Sequence, residues 1–360
     1  MHSIGLDAHK RYSQFEVLDS LAKPIAKGRI QHARGAIREF CSQFPPGTPV
    51  ALETVGNWYW IADEIEEAGC LPRLAHAVKA KVMMGNVNKT DKIDAHGLAI
   101  LQHNGTLPAV WIPPHQVRDE RELPRPRMAF AKLRTAVKNR IHATLAKYAF
   151  SMEDGKELFC KAGRRWLDHT ILQLLPETQR CTQQQLILLD FIQGEISSLE
   201  DRIRQCIKET PRIRLLKTLP GVGDILSIII DREIGDISRF SHSDSFAAYC
   251  GTTPKVSASG GKIRYGHLPK ESNQYFQFAF IEAADVIVAH QRLKTWQNRH
   301  AVRLYNRIRA RRCPSVAAGA VARHLAESAF WILKKMEPYR EPSPIRSERV
   351  PNRVPSSTVA

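Results

Sequence analysis

The 360 residues include seven cysteines, at positions 41, 70, 160, 181, 206, 250 and 313, and no two of them form a C-x-x-C pair. That scatter excludes a zinc ribbon or a disulfide framework as the organising principle and predicts reduced, mostly buried thiols. Long apolar runs are missing as well. Ile225 to Ile230, for example, is far too short to cross a bilayer. The opening residues Met1-His2-Ser3-Ile4-Gly5 lack the basic start and apolar core of a signal peptide. A cytoplasmic protein of bacterial, nucleoid-associated type with no membrane partner is therefore expected. No internal repeat is found.

Acid is in short supply, and unevenly so. Formal net charge is +17, from 53 Lys+Arg against 36 Asp+Glu. Residues 1–105 hold 12 Lys/Arg against 11 Asp/Glu, so almost all of the excess lies beyond them. Residues 253–312 alone hold 12 Lys/Arg and 3 Asp/Glu, with Arg303 and Arg307 in a cluster near a helix end. Such a footprint predicts a polyanionic partner for the later part of the chain, joined to a near-neutral catalytic domain.

The first hundred residues alternate strand-like and helix-like segments. Strands are predicted at Ile4–Asp7, Phe15–Leu18, Ile25–Ile30, Val50–Glu53 and Leu71–Ala75. Helices are predicted at Arg34–Phe44, Trp58–Ala68 (with Gly69 as C-cap) and Asp91–His103. Three strands leading into alternating units predict a mixed sheet with flanking helices, as in ribonuclease H-like folds. Pro108 to Pro114 reads as a linker, and Arg118 to Lys147 as a basic segment whose helix Pro124 and Pro126 should break or kink at its start. Leu189, Ile192, Ile196, Leu199, Ile203 and Cys206 follow a 3-4 spacing that suits a coiled-coil seam within or between chains. The expected domains are 1–107 (α/β), 108–210 (helical connector with coiled-coil character), 211–337 (mainly α) and a disordered Pro/Ser/Arg-rich tail, 338–360.

Four acids of the first domain stand at chemically useful places. Asp7 ends the first strand, Glu53 ends the fourth, and Asp91 and Asp94 project from one helix face. Clustered carboxylates repel unless a cation neutralises them, and Mg²⁺ is the natural occupant, serving phosphoryl transfer. In the second domain Leu219-Pro220-Gly221-Val222-Gly223 resembles the turn of a helix-hairpin-helix element, with Gly221 and Gly223 letting backbone N–H groups approach a phosphate. Thr253 to Gly266 reads as a small, flexible, basic loop in which Lys255, Lys262 and Arg264 are phosphate ligands. Ser257, Ser259 and Tyr265 are all credible nucleophiles there, and no neighbouring base singles one out.

Together these pieces resemble the DEDD transposases of the IS-one-ten insertion-sequence family. The matching stretches are Gly5-Leu6-Asp7-Ala8-His9-Lys10, Leu52-Glu53-Thr54-Val55-Gly56, Lys89-Thr90-Asp91-Lys92-Ile93-Asp94-Ala95 and Lys138-Asn139-Arg140-Ile141-His142. Leu219 to Gly223, Thr253-Pro254 and Ser259-Gly260-Gly261-Lys262 follow, all in order. The resemblance implies a RuvC-like first domain with Asp7, Glu53, Asp91 and Asp94 holding Mg²⁺ or Mn²⁺. It also implies that Ser259, the serine directly before glycine, is the nucleophile. The partners it implies are double-stranded DNA, a structured guide RNA and further copies of the chain in a homodimer or homotetramer. Pro124, Pro126 and Tyr275-Phe276-Gln277-Phe278 depart from the family pattern. The other readings are a Mg²⁺-dependent structure-selective nuclease and a non-catalytic nucleic-acid-binding protein derived from a transposase.

Overall fold

The structure, a computed structural model, describes residues 2–85, 91–152, 157–260 and 262–342. It divides into two compact units, Met1–Pro114 and His115–Ala360.

In the first unit the meander β1 (Ser3–Ala8), β2 (Tyr12–Leu18), β3 (Pro24–Gln31) is followed by α1 (Ala36–Cys41), β4 (Pro49–Glu53), α2 (Trp58–Glu67) and β5 (Leu71–Ala75). Then come α3 (Ala77–Met84), α4 (Asp91–His103) and the short β6 (Ala109–Val110). The sheet order is β3-β2-β1-β4-β5-β6, with β1, β4 and β5 parallel and the other pairs antiparallel. Alternation along β1 and β4 sends Ile4, Leu6, Val50 and Leu52 to one face, where they pack with Ile37, Cys41, Ile61 and Ile65 of α1 and α2. The opposite face is built from small residues. Ala51 and Ala75 meet Ala80, Leu98 and Leu101 of α3 and α4. At Gly5 the approach is closest: a Cβ there would stand 2.1 Å from the Ala95 carbonyl oxygen. Glycine is what lets α4 lie directly on β1. The five expected strands are all present, whereas α3 and β6 were not foreseen. Because β6 pairs with β5, the sheet unit runs on to Pro114, past the expected end at 107.

The second unit consists of α5 (His115–Arg121), α6 (Pro124–Lys147), α7 (Lys161–Ile171), α8 (Pro176–Cys206), α9 (Pro211–Leu216), α10 (Asp224–Ile234), α11 (Ser243–Tyr249), the strands β7 (Val256–Ser259) and β8 (Lys262–Tyr265), α12 (Gln274–His290), α13 (His300–Arg309) and α14 (Pro314–Lys335). Prolines open α6, α8, α9 and α14, where the missing N–H costs nothing. Pro124 and Pro126 stand in the first turn of α6, directly after the break at 122–123 that separates it from α5, as expected. Its main core gathers Phe246, Phe276, Phe280, Tyr305 and the apolar stripe of α14 from Ala317 to Leu333. A second core joins Ile141 and Leu145 of α6 to Leu167, Ile171, Leu186 and Leu189 of α7 and α8.

The helical seam is buried within the chain. Leu189, Ile192, Ile196 and Ile203 are covered, α8 packing chiefly along α6, while Leu199 is only half-buried and Cys206 is exposed, Ile207 taking the buried place. Two further expectations change. Only Cys41, Cys70 and Cys250 are buried, since Cys160, Cys181, Cys206 and Cys313 fall on outward helix faces or at helix starts; all seven are free thiols. The start of the expected tail is placed: the Tyr339 N–H donates to Thr218 Oγ1 at 2.8 Å, and Glu341 Oε2 accepts from the His300 N–H at 2.8 Å. Residues 343–360 lie outside the described residues.

Candidate active site

Parallel pairing of β1 with β4 sets Ile4 beside Val50, Gly5 beside Ala51 and Leu6 beside Leu52. One residue further on, Asp7 and Glu53 come at the carboxyl ends of adjacent strands. Both point to the face that carries Gly5 and Ala51, the face under α4. The direction of α4 then brings in the other two acids. Its last residues, Gln102 and His103, line a cavity with Ser3, Pro49 and Leu71, at the amino ends of β1, β4 and β5. Its first turn, which begins at Asp91 and contains Asp94, is consequently at the opposite, carboxyl end of the strands, with Asp7 and Glu53. Asp7 is buried, and Glu53 and Asp94 are half-buried; the Asp91 side chain lies outside the described residues, as does Lys89-Thr90 before it. Asp7, Glu53 and Asp94 share one end of one face of the sheet.

Two neighbours of this acidic corner were not singled out from the sequence. His9 Nε2 is 3.1 Å from Asp7 Oδ2, and the Asn57 side-chain amide donates to the His9 carbonyl at 2.9 Å. That bond ties the turn after β1 to the loop after β4, the two segments that follow Asp7 and Glu53. The signal for His9 was legible, since a residue two beyond Asp7 falls on the same strand face. Nothing marked Asn57. Across the sheet, Gln14 sits beside Asp7 in register, and Glu16 meets His96 Nδ1 at 2.8 Å. The donor set is carboxylate oxygen, which fits a hard divalent cation such as Mg²⁺ or Mn²⁺ better than a thiolate-seeking metal.

In the helical unit Ser259 ends β7, and the segment expected as a loop is a β-hairpin. Val256, Ile263 and Tyr265 favour strand, and Gly260, with φ +55°, starts the reversal. The register pairs Ser257 with Arg264 and Ser259 with Lys262, so these four share one face. Tyr265 pairs with Val256 on the other face, which separates it from both serines. The whole hairpin is exposed. Lys255, at its base, is held by Glu271 at 3.2 Å.

The turn Leu219–Gly223 does join two helices, α9 and α10. Gly221 has φ +78°, and a Cβ on it would lie 2.2 Å from the Ala283 oxygen of α12, so close packing already requires glycine there. Gly223 is open and lines a cavity of about 700 Å³ with Arg127, Lys217 and Arg299. Lys217 is gripped by Asp224 at 2.6 Å and Glu209 at 2.7 Å, and these bonds raise its pKa. Arg303 and Arg307 are exposed on α13 with no carboxylate partner among the described residues; Arg303 donates to the Asn298 carbonyl.

Comparison with known proteins agrees with this layout. A family model for DEDD transposases of the IS110 type matches residues 4–150, and one described as "Transposase IS116/IS110/IS902 family" matches residues 213–301. A probable family 20 transposase of Pseudomonas aeruginosa is 25% identical over 79% of this chain and 83% of its own length. The transposase for insertion sequence element IS1328 of Yersinia enterocolitica is 22% identical over 92% and 96%, and that for IS1111A of Coxiella burnetii 25% identical over 70% and 69%. This chain, with its near-neutral sheet domain followed by a basic helical one, is thus an insertion-sequence transposase, a DNA-cleaving and -rejoining enzyme. The chain belongs to the IS110 family of transposases.

Proposed function

We propose that this transposase cuts and rejoins double-stranded DNA with Asp7, Glu53, Asp91 and Asp94 as ligands of Mg²⁺ or Mn²⁺ and with Ser259 as nucleophile. The observation that carries the reading is the convergence of Asp7, Glu53 and the first turn of α4 at one end of the parallel strands. The strand order β3-β2-β1-β4-β5 favours a RuvC-like sheet domain. A bound divalent cation would polarise the phosphate and stabilise charge on the oxygens exchanged at phosphorus.

The chain's own residues take the remaining roles. Ser259 presents its hydroxyl from an exposed hairpin tip, with Lys262 and Arg264 on the same face to hold the phosphate. In the transfer, the Oγ–phosphorus bond forms as one phosphodiester P–O bond breaks, and the departing strand ends in a hydroxyl carrying the proton the serine gives up. Attack by the strand hydroxyl reverses the step and rejoins DNA. Gly223, Lys255, Arg303 and Arg307 are further contacts for nucleic acid, whereas Gly221 is needed for packing whatever it binds. A structured guide RNA and a homodimer or homotetramer belong to this reading through the family resemblance; the α8 seam, buried within its own chain, does not argue for either.

The test uses a nicked suicide duplex and Mg²⁺. Wild-type protein should form a covalent adduct that maps by peptide digestion to Ser259, and Asp7→Asn should lower its rate at least a hundredfold, the several kcal/mol a metal supplies. DNA linked to Ser257 would move the nucleophile by two register positions along β7. Cleavage without any adduct would favour the hydrolytic nuclease.

A further inference from the structure

The helix α6 carries seven Lys/Arg in 24 residues and no Asp or Glu. Four of these cations are occupied inside the helical unit. Arg125 meets Glu233 at 3.0 Å, Arg127 meets Glu200 at 2.7 Å, Arg134 donates to Gln193, and Lys138 lies between Glu157 and the Phe159 ring. Lys132, Arg140 and Lys147 are all exposed, with no carboxylate ion pair among the described residues, although the Lys132 ammonium also lies 5.3 Å from the centre of the Phe278 ring. They fall on one helix face with exposed Ala129, Ala136 and Ala143, because intervals of four, seven and eight residues recur on the same side.

We propose that this outward face of α6 is a docking surface for the phosphate backbone of duplex DNA, in addition to the contacts assigned above; the inference rests on the DNA-processing reading of the protein. The rise of a helix spaces the three cations about 12 Å and about 10 Å apart. Together they span about 22 Å, a length that faces roughly six phosphates of one strand. Alanine between them keeps the surface low, so a broad polyanion can come close. Phe278 is engaged by Lys132 and His142 by Phe159, so that among the described residues no ring of the face stands free to stack unpaired bases, and this favours duplex over single strand. At its far end Arg140 and Lys147 line a groove of about 380 Å³ with Thr144, Thr178 and Gln185, further hydrogen-bond donors, and a single acid, Glu177.

The experiment is the salt dependence of binding by the full chain to a labelled duplex of mixed sequence, read by fluorescence anisotropy. Each lost phosphate contact lowers the slope of log K against log salt by about 0.9. The triple variant Lys132→Gln, Arg140→Gln, Lys147→Gln should therefore bind with a slope shallower by about 2.7. Glutamine preserves helix propensity, and circular dichroism should be unchanged. Should the triple variant not fold, the three single variants each carry their share of about 0.9, while Arg140→Lys should keep the wild-type slope. A charge-matched control, Lys23→Gln, Lys27→Gln, Lys334→Gln, should leave most of the slope in place. An unchanged slope in the triple variant overturns the docking surface and leaves the DNA-processing reading standing. An equal loss in the control overturns it too, because only net charge would then matter. A loss confined to single-stranded DNA or to structured RNA overturns the choice of duplex DNA. Wild-type protein without salt-dependent duplex binding would remove both the surface and the reading beneath it.

Discussion

The two units treat buried acid in opposite ways. In the helical unit Glu233 is enclosed by Arg121, by Arg125 at 3.0 Å and by the Asn273 amide at 2.9 Å. Asp231 lies between Arg212 at 2.9 Å and Arg232 at 2.6 Å; burial raises its pKa while the two arginines oppose the shift. Arg121 and Arg212 also donate to the final carbonyls of α10, so the same cages cap that helix. The sheet unit places Asp7 and Glu53 on neighbouring strands, with His9 3.1 Å from Asp7 and Gln14 beside it in register. Of its other buried acids among the described residues, Glu16 meets His96 at 2.8 Å, and Glu64 accepts the backbone N–H groups of Gly35, Ile37 and Arg38 and so organises α1. An acid whose charge is answered from inside the fold is structural. In the reading proposed above, Asp7 and Glu53 instead face a divalent cation.

That contrast can be broken experimentally, most forcefully at Glu233. Glu233→Ala removes the carboxylate between buried Arg121 and half-buried Arg125 and should lower unfolding free energy by about 3–5 kcal/mol in chemical denaturation. A loss under about 1 kcal/mol would mean that water already screens the cage. Next in size is Gly5→Ala. The added methyl meets backbone of α4, with Ala99 N at 2.6 Å as well as the Ala95 oxygen, and no flexible side chain can yield. Destabilisation of about 2–3 kcal/mol is expected, with weaker Mn²⁺ binding by paramagnetic relaxation, because α4 carries Asp91 and Asp94.

A smaller effect should come from acid. Burial lowers the pKa of His324 to about 4, against 6.5 in the unfolded chain, with the His300 ring tilted against it 4.7 Å away. As pH falls below 6.5 the unfolded chain takes up the proton first, so stability drops until about pH 4 and then levels off. The loss should be about 1–3 kcal/mol and be largely absent in His324→Phe. Smallest of all should be the effect of Asp7→Asn on stability, under about 1 kcal/mol, despite its effect on cleavage. Several kcal/mol lost there would class Asp7 with Glu233 and erase the distinction between the units.

How much was legible from residues alone divides along physical lines. Period-two alternation and glycine punctuation located the five main strands, and local charge counting separated a near-neutral half from a basic one. The acids Asp7, Glu53, Asp91 and Asp94 could be singled out because strand ends and a three-residue helical interval are local properties. What neighbours across a sheet or between helices do to one another is not local. The parallel pairing of β1 with β4 and the direction of α4, which together gather the acids, follow from tertiary packing. So does the closeness of Ala283, whose oxygen a Cβ on Gly221 would meet at 2.2 Å, at a turn that sequence alone left open between phosphate contact and a plain helix–helix connection. The hairpin under Ser259 depends on cross-strand register, which a Ser/Gly-rich composition conceals. The seam of α8 shows the same limit most clearly: spacing determined that a partner helix was needed, but only the folded chain could select α6, because apolar contact has periodicity without an address.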